Sequence, residues 1–387
     1  MKGSDSLTKQ VTILIGADLA PRKTNYTLFS EGLIDQLVSE KLLTRLRSAD
    51  YRIFNLESPL TDNLSPISKD GPGLAAPASS IRGIKQLDPS ILGLANNHIM
   101  DQGEQGLFDT MNILTENEIL FTGAGRDPEH AAKPIIIDRN GIKTGIYACT
   151  EHEFSIAEEG RAGANPFDPL ESPDHIARLK SECDYVIVLY HGGREYYRYP
   201  SPELRKVCRK MAEKGADLIL CQHSHCIGSY EKYENTVIVY GQGNFLFDGK
   251  DNEFRNSSLL VEVKLGKELM VDFIPLSKKG AGVEMASPEM AGFIMEGFIN
   301  RSKQISIPGF VEEQYVKHCI GNGQYFMATC AGFGKTLRRI DKLLNGLFTR
   351  FIYTRKKLDV LRNNIQCEAH RELILKYLRI LEKKRKK

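Results

Sequence analysis

The chain has 387 residues and a formal net charge of +3, with 41% hydrophobic and 26% charged residues. These values are ordinary for a soluble globular protein with a core of useful size. No apolar run reaches the roughly 18 residues that a membrane-spanning helix requires, so no spanning helix is expected.

The polar start, "MKGSDSLTKQ", lacks the length and flanks of a signal peptide. The eight cysteines are scattered without a C-x-x-C pair, which suits buried, reduced thiols and a cytoplasmic location. The small net charge hides an asymmetry. From Gly334 to Lys387 there are seventeen Lys/Arg against five Asp/Glu, a net of +12, so the preceding residues carry −9.

In chain order, residues 11–17 read as a strand. Residues 29–48 carry Leu33, Leu37, Leu42 and Leu46 at helical spacing and predict a helix. "YRIFNLE" is a second strand, ending at Glu57. Residues 58–78 are rich in Pro, Gly and Ser and read as a loop. "SILGLANNH" is a third strand and its exit turn, with Asp101 expected to cap the next helix. Asn140-Gly141 between alternating apolar residues signals a hairpin. "DYVIVLYHGG" and "ADLILCQHSH" are strands separated by the helix "SPELRKVCRKMAEKG", and residues 229–248 and 257–276 read as strand pairs. This order predicts α/β layers around a central sheet or sandwich. After about residue 280 the pattern becomes helical, which predicts a boundary between 1–280 and 281–387.

Five strand ends carry ligand-type residues: Asp18; Glu57; Asn97 and His98; His191 and Glu195; His223 and His225. Open α/β sheets place their sites at the carboxyl ends of strands. A mixed nitrogen and oxygen set without cysteine suits Mn, Fe or Zn. Six or seven such groups are too many for one tetrahedral ion and fit two ions sharing a carboxylate. "GFGKT" at 332–336 lacks the first glycine of a phosphate-binding loop, since Thr329 stands there.

The segments "GAD", "FNLESPLT", "GLANNHIMDQGEQGLFDTMNIL", "FTGAG", "NGIKTGIYA", "VIVLYHGGREYYRYPSPELRKVCRKMAEKGADLILCQHSH" and "IVYGQGNFLFD" resemble the CapA family. These are capsule or poly-γ-glutamate synthesis proteins of the calcineurin-like metallophosphoesterase superfamily. The resemblance runs over about residues 11–248. It implies a four-layered α/β/β/α sandwich of the metallophosphoesterase type, followed here by a helical, basic C-terminal extension.

By the same resemblance, Asp18 and His225 would hold a first ion, and Asn97, His191 and His223 a second. Glu57 would bridge the two, and His98 would be the general acid. Ala20 stands where the superfamily has a histidine, so the first position has one ligand fewer. Arg194, Glu195 and Tyr196 in "HGGREYYRYP" are candidates for contacting the substrate.

The implied activity is metal-dependent hydrolysis, of a phosphoester, in capsule or poly-γ-glutamate biosynthesis, through a hydroxide shared by one or two Mn, Fe or Zn ions. Two alternatives stay open. One is a non-catalytic component that binds metal and polymer within a membrane-associated capsule synthesis complex. The other is an enzyme acting on γ-glutamyl amide bonds. The expected substrate is an anionic phosphoester or a γ-glutamyl polymer. The basic C-terminal segment, with Leu337, Ile340, Leu344, Leu347, Phe351 and Ile352 near one helical face, predicts contact with an anionic membrane surface, on its inner side, or with the synthesis complex. Nothing in that segment reads nucleic-acid bases.

Overall fold

The computed structural model describes residues 10–249 and 252–385, with side chains through 381. The polar N-terminal residues 1–9 and the last basic side chains of the tail lie outside the described residues. The chain divides into two compact units, 1–312 and 313–387.

The first unit is built on two sheets. One follows the spatial order Gly282–Met285, Leu269–Lys279, Ser257–Leu265, Val11–Ala20, Tyr51–Leu56, Ile91–Gly93, Leu120–Thr122, with Asn244–Phe247 also paired to Val11–Ala20. Pairing is parallel from Val11–Ala20 through Leu120–Thr122 and antiparallel on the other side. The other sheet runs Tyr230–Tyr233, Thr236–Val239, Leu218–Gln222, Tyr185–His191, Ile142–Thr150, Ile135–Arg139.

Alternation along the strands builds the layers. In the strand Val11–Ala20, Ile13 and Ile15 join Ile146, Ile187, Leu189 and Leu220 of the other sheet in a core between the sheets. Leu14 and Leu19 point the other way, onto Leu42, Leu46, Leu107 and Leu114 of the helices. On the far side, Val186, Val188 and Ile219 pack under Ile176, Leu179, Cys208 and Met211 of helices Ser172–Glu182 and Pro202–Glu213. Helix, sheet, sheet and helix therefore stack in four layers, as expected.

Several elements differ from the sequence reading. The helix expected over 29–48 is broken into Tyr26–Glu31, a 3₁₀ turn at Ile34–Gln36 and Glu40–Arg47. Gly32 adopts φ 75° and ends the first piece, and the chain between pieces bonds to Val283. Asn244–Phe247 does not pair with its sequence neighbours but lies parallel to Val11–Ala20 in the opposite sheet. The change expected near 280 falls inside the first unit, because Ile294 and Phe298 of helix Pro288–Ile305 join the core between the sheets. Five of the eight cysteines are buried, but Cys319 and Cys330 are exposed.

The second unit contains the later part of helix Phe310–Cys330 and helices Lys335–Leu343, Leu347–Ile352, Arg355–Gln366 and Glu368–Arg385. The "GFGKT" stretch joins two helices and no strand precedes it, so it lacks the setting of a phosphate loop. No described helix is long and apolar enough to cross a membrane.

Candidate metal centre

The parallel strands of both sheets end at the same edge of the sandwich, and the ligand-type residues follow from their carboxyl ends. Asp18 lies where the register of Val11–Ala20 shifts against both of its parallel neighbours, and it is fully buried. Glu57 follows the strand Tyr51–Leu56 and is also fully buried. His191 ends the strand Tyr185–His191, and His223 and His225 leave Leu218–Gln222. The last two adopt φ 90° and 51°, left-handed backbone that is costly for a side chain of this size. The H-x-H turn thus brings both imidazoles back over the sheet edge.

Two groups of potential metal-ligating atoms result, Asp18–Glu57–His225 and Glu57–His191–His223, each with its atoms within 4.8 Å of one another. Glu57 belongs to both. Its Oε1 lies 3.6 Å from His191 Nε2 and 3.9 Å from His225 Nε2. His225 Nδ1 is 3.4 Å from Asp18 Oδ2. His191 Nε2 also lies 3.1 Å from Asn97 Oδ1 and 3.2 Å from His223 Nδ1, so four donor atoms converge on the second position.

Glu57 tests whether this donor set fits a metal. Both of its carboxylate oxygens are buried and neither has a hydrogen-bond partner among the described residues. A buried, unpaired carboxylate is costly, and coordination of cations would remove the cost. Burial, and then the negative charge of Asp18, push the Glu57 carboxyl well above its usual range. Burial would also raise Asp18, but hydrogen bonds from His225 and Asn55 hold it at about 2. Burial, then His223, push the His191 imidazole well down, and burial, then His225, lower His223. Neutral imidazoles with free lone pairs are the form that ligates metal. The residues fit a divalent transition ion.

A surrounding layer orients these groups. Asn55 Nδ2 donates to Asp18 Oδ1 at 2.8 Å and lies 3.2 Å from His191 Nδ1. Asn96 Nδ2 donates to Asn55 Oδ1 at 3.2 Å and to the Leu56 carbonyl at 2.8 Å. Asn244 Oδ1 sits 2.8 Å from His225 Nδ1. Glu153 Oε2 accepts from Asn97 Nδ2 at 3.2 Å, and its Oε1 is 4.0 Å from His223 Nε2. Partners of this kind fix ring orientation and tune affinity.

His98 is buried beside Asn97 but faces other partners. Its Nδ1 lies 2.6 Å from Asp101 Oδ2 and 3.1 Å from Lys69 Nζ, and Lys69 also pairs with Asp101. Asp101 is therefore not the helix cap. The helix Gly103–Glu116 has Gln102 at that position, and Asp101 instead accepts from His98, Lys69 and the Leu74 amide.

Of the three expected substrate contacts, Arg194 is exposed, while Glu195 and Tyr196 are half-buried. The Tyr196 ring lies 6.1 Å from that of His225, and its hydroxyl accepts from Arg255. The Arg255 guanidinium lies 5.3 Å from the Phe247 ring, which stacks on His225 at 4.8 Å, and Arg22 lies 5.1 Å from the same Phe247 ring. Two arginines thus border the first position.

The sequence reading missed Arg22, Arg255, Lys69, Glu153 and the asparagines 55, 96 and 244. Asn55 and Asn96 stood inside quoted motifs, "FNLE" and "LANNH", where an amide one or two residues from a ligand was the available signal, whereas Asn244 in "GNFLFD" has no candidate ligand near it in sequence. Lys69 sat in a loop without periodicity and gave none.

A family model described as "Bacterial capsule synthesis protein PGA_cap" matches residues 17–249. The chain belongs to this family. The matched span holds every candidate ligand and His98. Among curated relatives, the PGA biosynthesis protein CapA of Bacillus subtilis (strain 168) is 32% identical over 219 residues, covering 55% of this chain and 57% of the relative. The capsule biosynthesis protein CapA of Bacillus anthracis is 27% identical over 242 residues, covering 60% and 59%. The chain therefore spans less than three fifths of those relatives. Among solved structures, a novel phosphatase from Mycoplasma pneumoniae is similar at 15% identity and a TM-score of 0.44, over 70% of this chain and 95% of that one. The likeness to that phosphatase is too slight to bear on activity.

Proposed function

We propose that this protein is a metal-dependent hydrolase of anionic substrates, a phosphoesterase in reaction type, that serves capsule or poly-γ-glutamate production. The observation that carries the reading is Glu57, buried between two ligand groups with both oxygens unpaired. Asp18, Glu57 and His225 would hold one divalent ion, and Glu57, Asn97, His191 and His223 the other. Such ions supply Lewis-acid polarisation of the substrate and a water of lowered pKa.

The remaining steps belong to the chain. Asp101 holds the His98 ring by Nδ1, which leaves Nε2 to deliver a proton to a departing oxygen. Lys69 neutralises Asp101 and fixes the loop that carries it. Arg255 and Arg22 attract the anionic group of the substrate towards the first position, with Tyr196 holding the Arg255 guanidinium.

A second reading has its own support. Paired arginines suit a carboxylate as well as a phosphate, so a γ-glutamyl chain is also a chemically sound substrate. Metal-loaded protein assayed on bis-nitrophenyl phosphate and on γ-glutamyl oligomers separates the two. Turnover of the phosphodiester alone supports phosphoester hydrolysis. Turnover of the oligomer alone moves the assignment to amide bonds. Turnover of neither contradicts a hydrolytic role.

A further inference from the structure

The unit 313–387 carries a surface that the metal centre does not use. Helix Lys335–Leu343 ends in a tight turn at Asn345 and Gly346, and helix Leu347–Ile352 follows. Asp341 locks this turn. It is fully buried, and its Oδ1 accepts the amides of Phe348 at 2.8 Å and Thr349 at 3.1 Å, while the Thr349 hydroxyl donates to Oδ2. The first amides of the second helix are thereby capped by the preceding helix.

With the turn fixed, large apolar side chains stand out around it. Leu343 is 82% exposed, Leu347 56% and Phe351 86%. Arg339, Lys342 and Arg350 are exposed between them. A cluster of this size is uncommon on a soluble surface without a partner.

We propose that this turn and its two helices lie on an anionic lipid surface, with Leu343, Leu347 and Phe351 inserted at the headgroup boundary and Arg339, Lys342 and Arg350 among the headgroups. Two observations favour lipid over other occupants. The net charge of +12 over Gly334–Lys387 opposes pairing of this face with a second copy of itself. A nucleic-acid backbone would satisfy the cations but would leave exposed aliphatic side chains without a counterpart. An anionic bilayer matches both halves of the face. The inference does not depend on the activity of the metal centre.

The test is co-sedimentation of the full chain with vesicles. Mixed phosphatidylcholine and phosphatidylglycerol vesicles should pellet the protein, and pure phosphatidylcholine vesicles should bind it at least about tenfold more weakly. High salt should release the bound protein. The pairs Leu343→Ser with Phe351→Ser and Lys342→Glu with Arg350→Glu should each weaken pelleting about tenfold or more. The parent's salt and lipid dependence stand without the variants, should either fail to fold. Failure of anionic vesicles to pellet the parent would overturn the proposal. So would pelleting unchanged by salt and by both folded variants, a stable dimer formed through this face without lipid, or binding confined to a nucleic-acid duplex.

Discussion

Adjacent residues leaving one strand take different tasks. Asn97 Oδ1 faces His191, whereas His98 turns its Nδ1 to Asp101. His98→Ala should keep bound metal and lose roughly 10²–10⁴-fold in turnover of an ester with a poor leaving group. The loss should shrink for a nitrophenyl ester, whose leaving oxygen needs no proton. Asn97→Ala should instead lower metal affinity and slow both substrates alike. Metal content and kinetics of the two variants check this, and loss of metal by His98→Ala would contradict it. Arg255→Ala should raise KM about tenfold with a smaller change in kcat, because the guanidinium binds the anionic group in ground and transition states alike. An unchanged KM would remove Arg255 from substrate recognition. The candidate ligands themselves were legible as polar residues ending apolar strands. Arg22, Arg255 and Lys69 were not, because they come from loops whose path is set by tertiary packing.

Elements were legible where periodicity was strong and obscure where a partner was distant in sequence. The short apolar runs in "VTILIGAD" and "DYVIVLYH" gave the strands, and the layers follow from them. Nothing within 244–247 signals that this strand joins Asp18 rather than its hairpin neighbour. The break at 37–39 depends on bonds to Val283, some 250 residues away. One long-range clamp gives an element-scale prediction. Arg205 and Arg209, one turn apart on helix Pro202–Glu213, pair with Glu231 on strand Tyr230–Tyr233, which also accepts from Tyr240. Burial would raise the Glu231 carboxyl, but these bonds hold it at about 2. Its folded value thus lies below the unfolded value of about 4.3, so its stabilisation is present above that pH and lost as pH falls towards 2. Glu231→Gln should cost roughly 1–3 kcal/mol at neutral pH, with the deficit shrinking below about pH 4 in denaturant titrations. A deficit that is constant with pH would contradict the clamp.

For the whole molecule, the sandwich acts as a frame that brings groups from both sheets to one edge, where two buried carboxylates, Asp18 and Glu57, meet three imidazoles. Burial and the charge of Asp18 push the Glu57 carboxyl well above its usual range, so protons compete with metal for it. Metal uptake should then release protons, and affinity should weaken as pH falls, by up to about tenfold per pH unit. Binding to the folded state alone should also raise thermal stability, by about 2.7 kcal/mol at a hundredfold excess over Kd, with a chelator reversing the gain. The most direct test of the central claim is a calorimetric titration of metal-free protein with Mn²⁺ or Zn²⁺, run beside Glu57→Ala. The parent should take up one to two ions per chain, and Glu57→Ala should lose more binding than a change to Asp18 or His191 does, since it serves both positions. Failure of the metal-free parent to bind either ion, or binding by Glu57→Ala equal to that of the parent, would contradict the account.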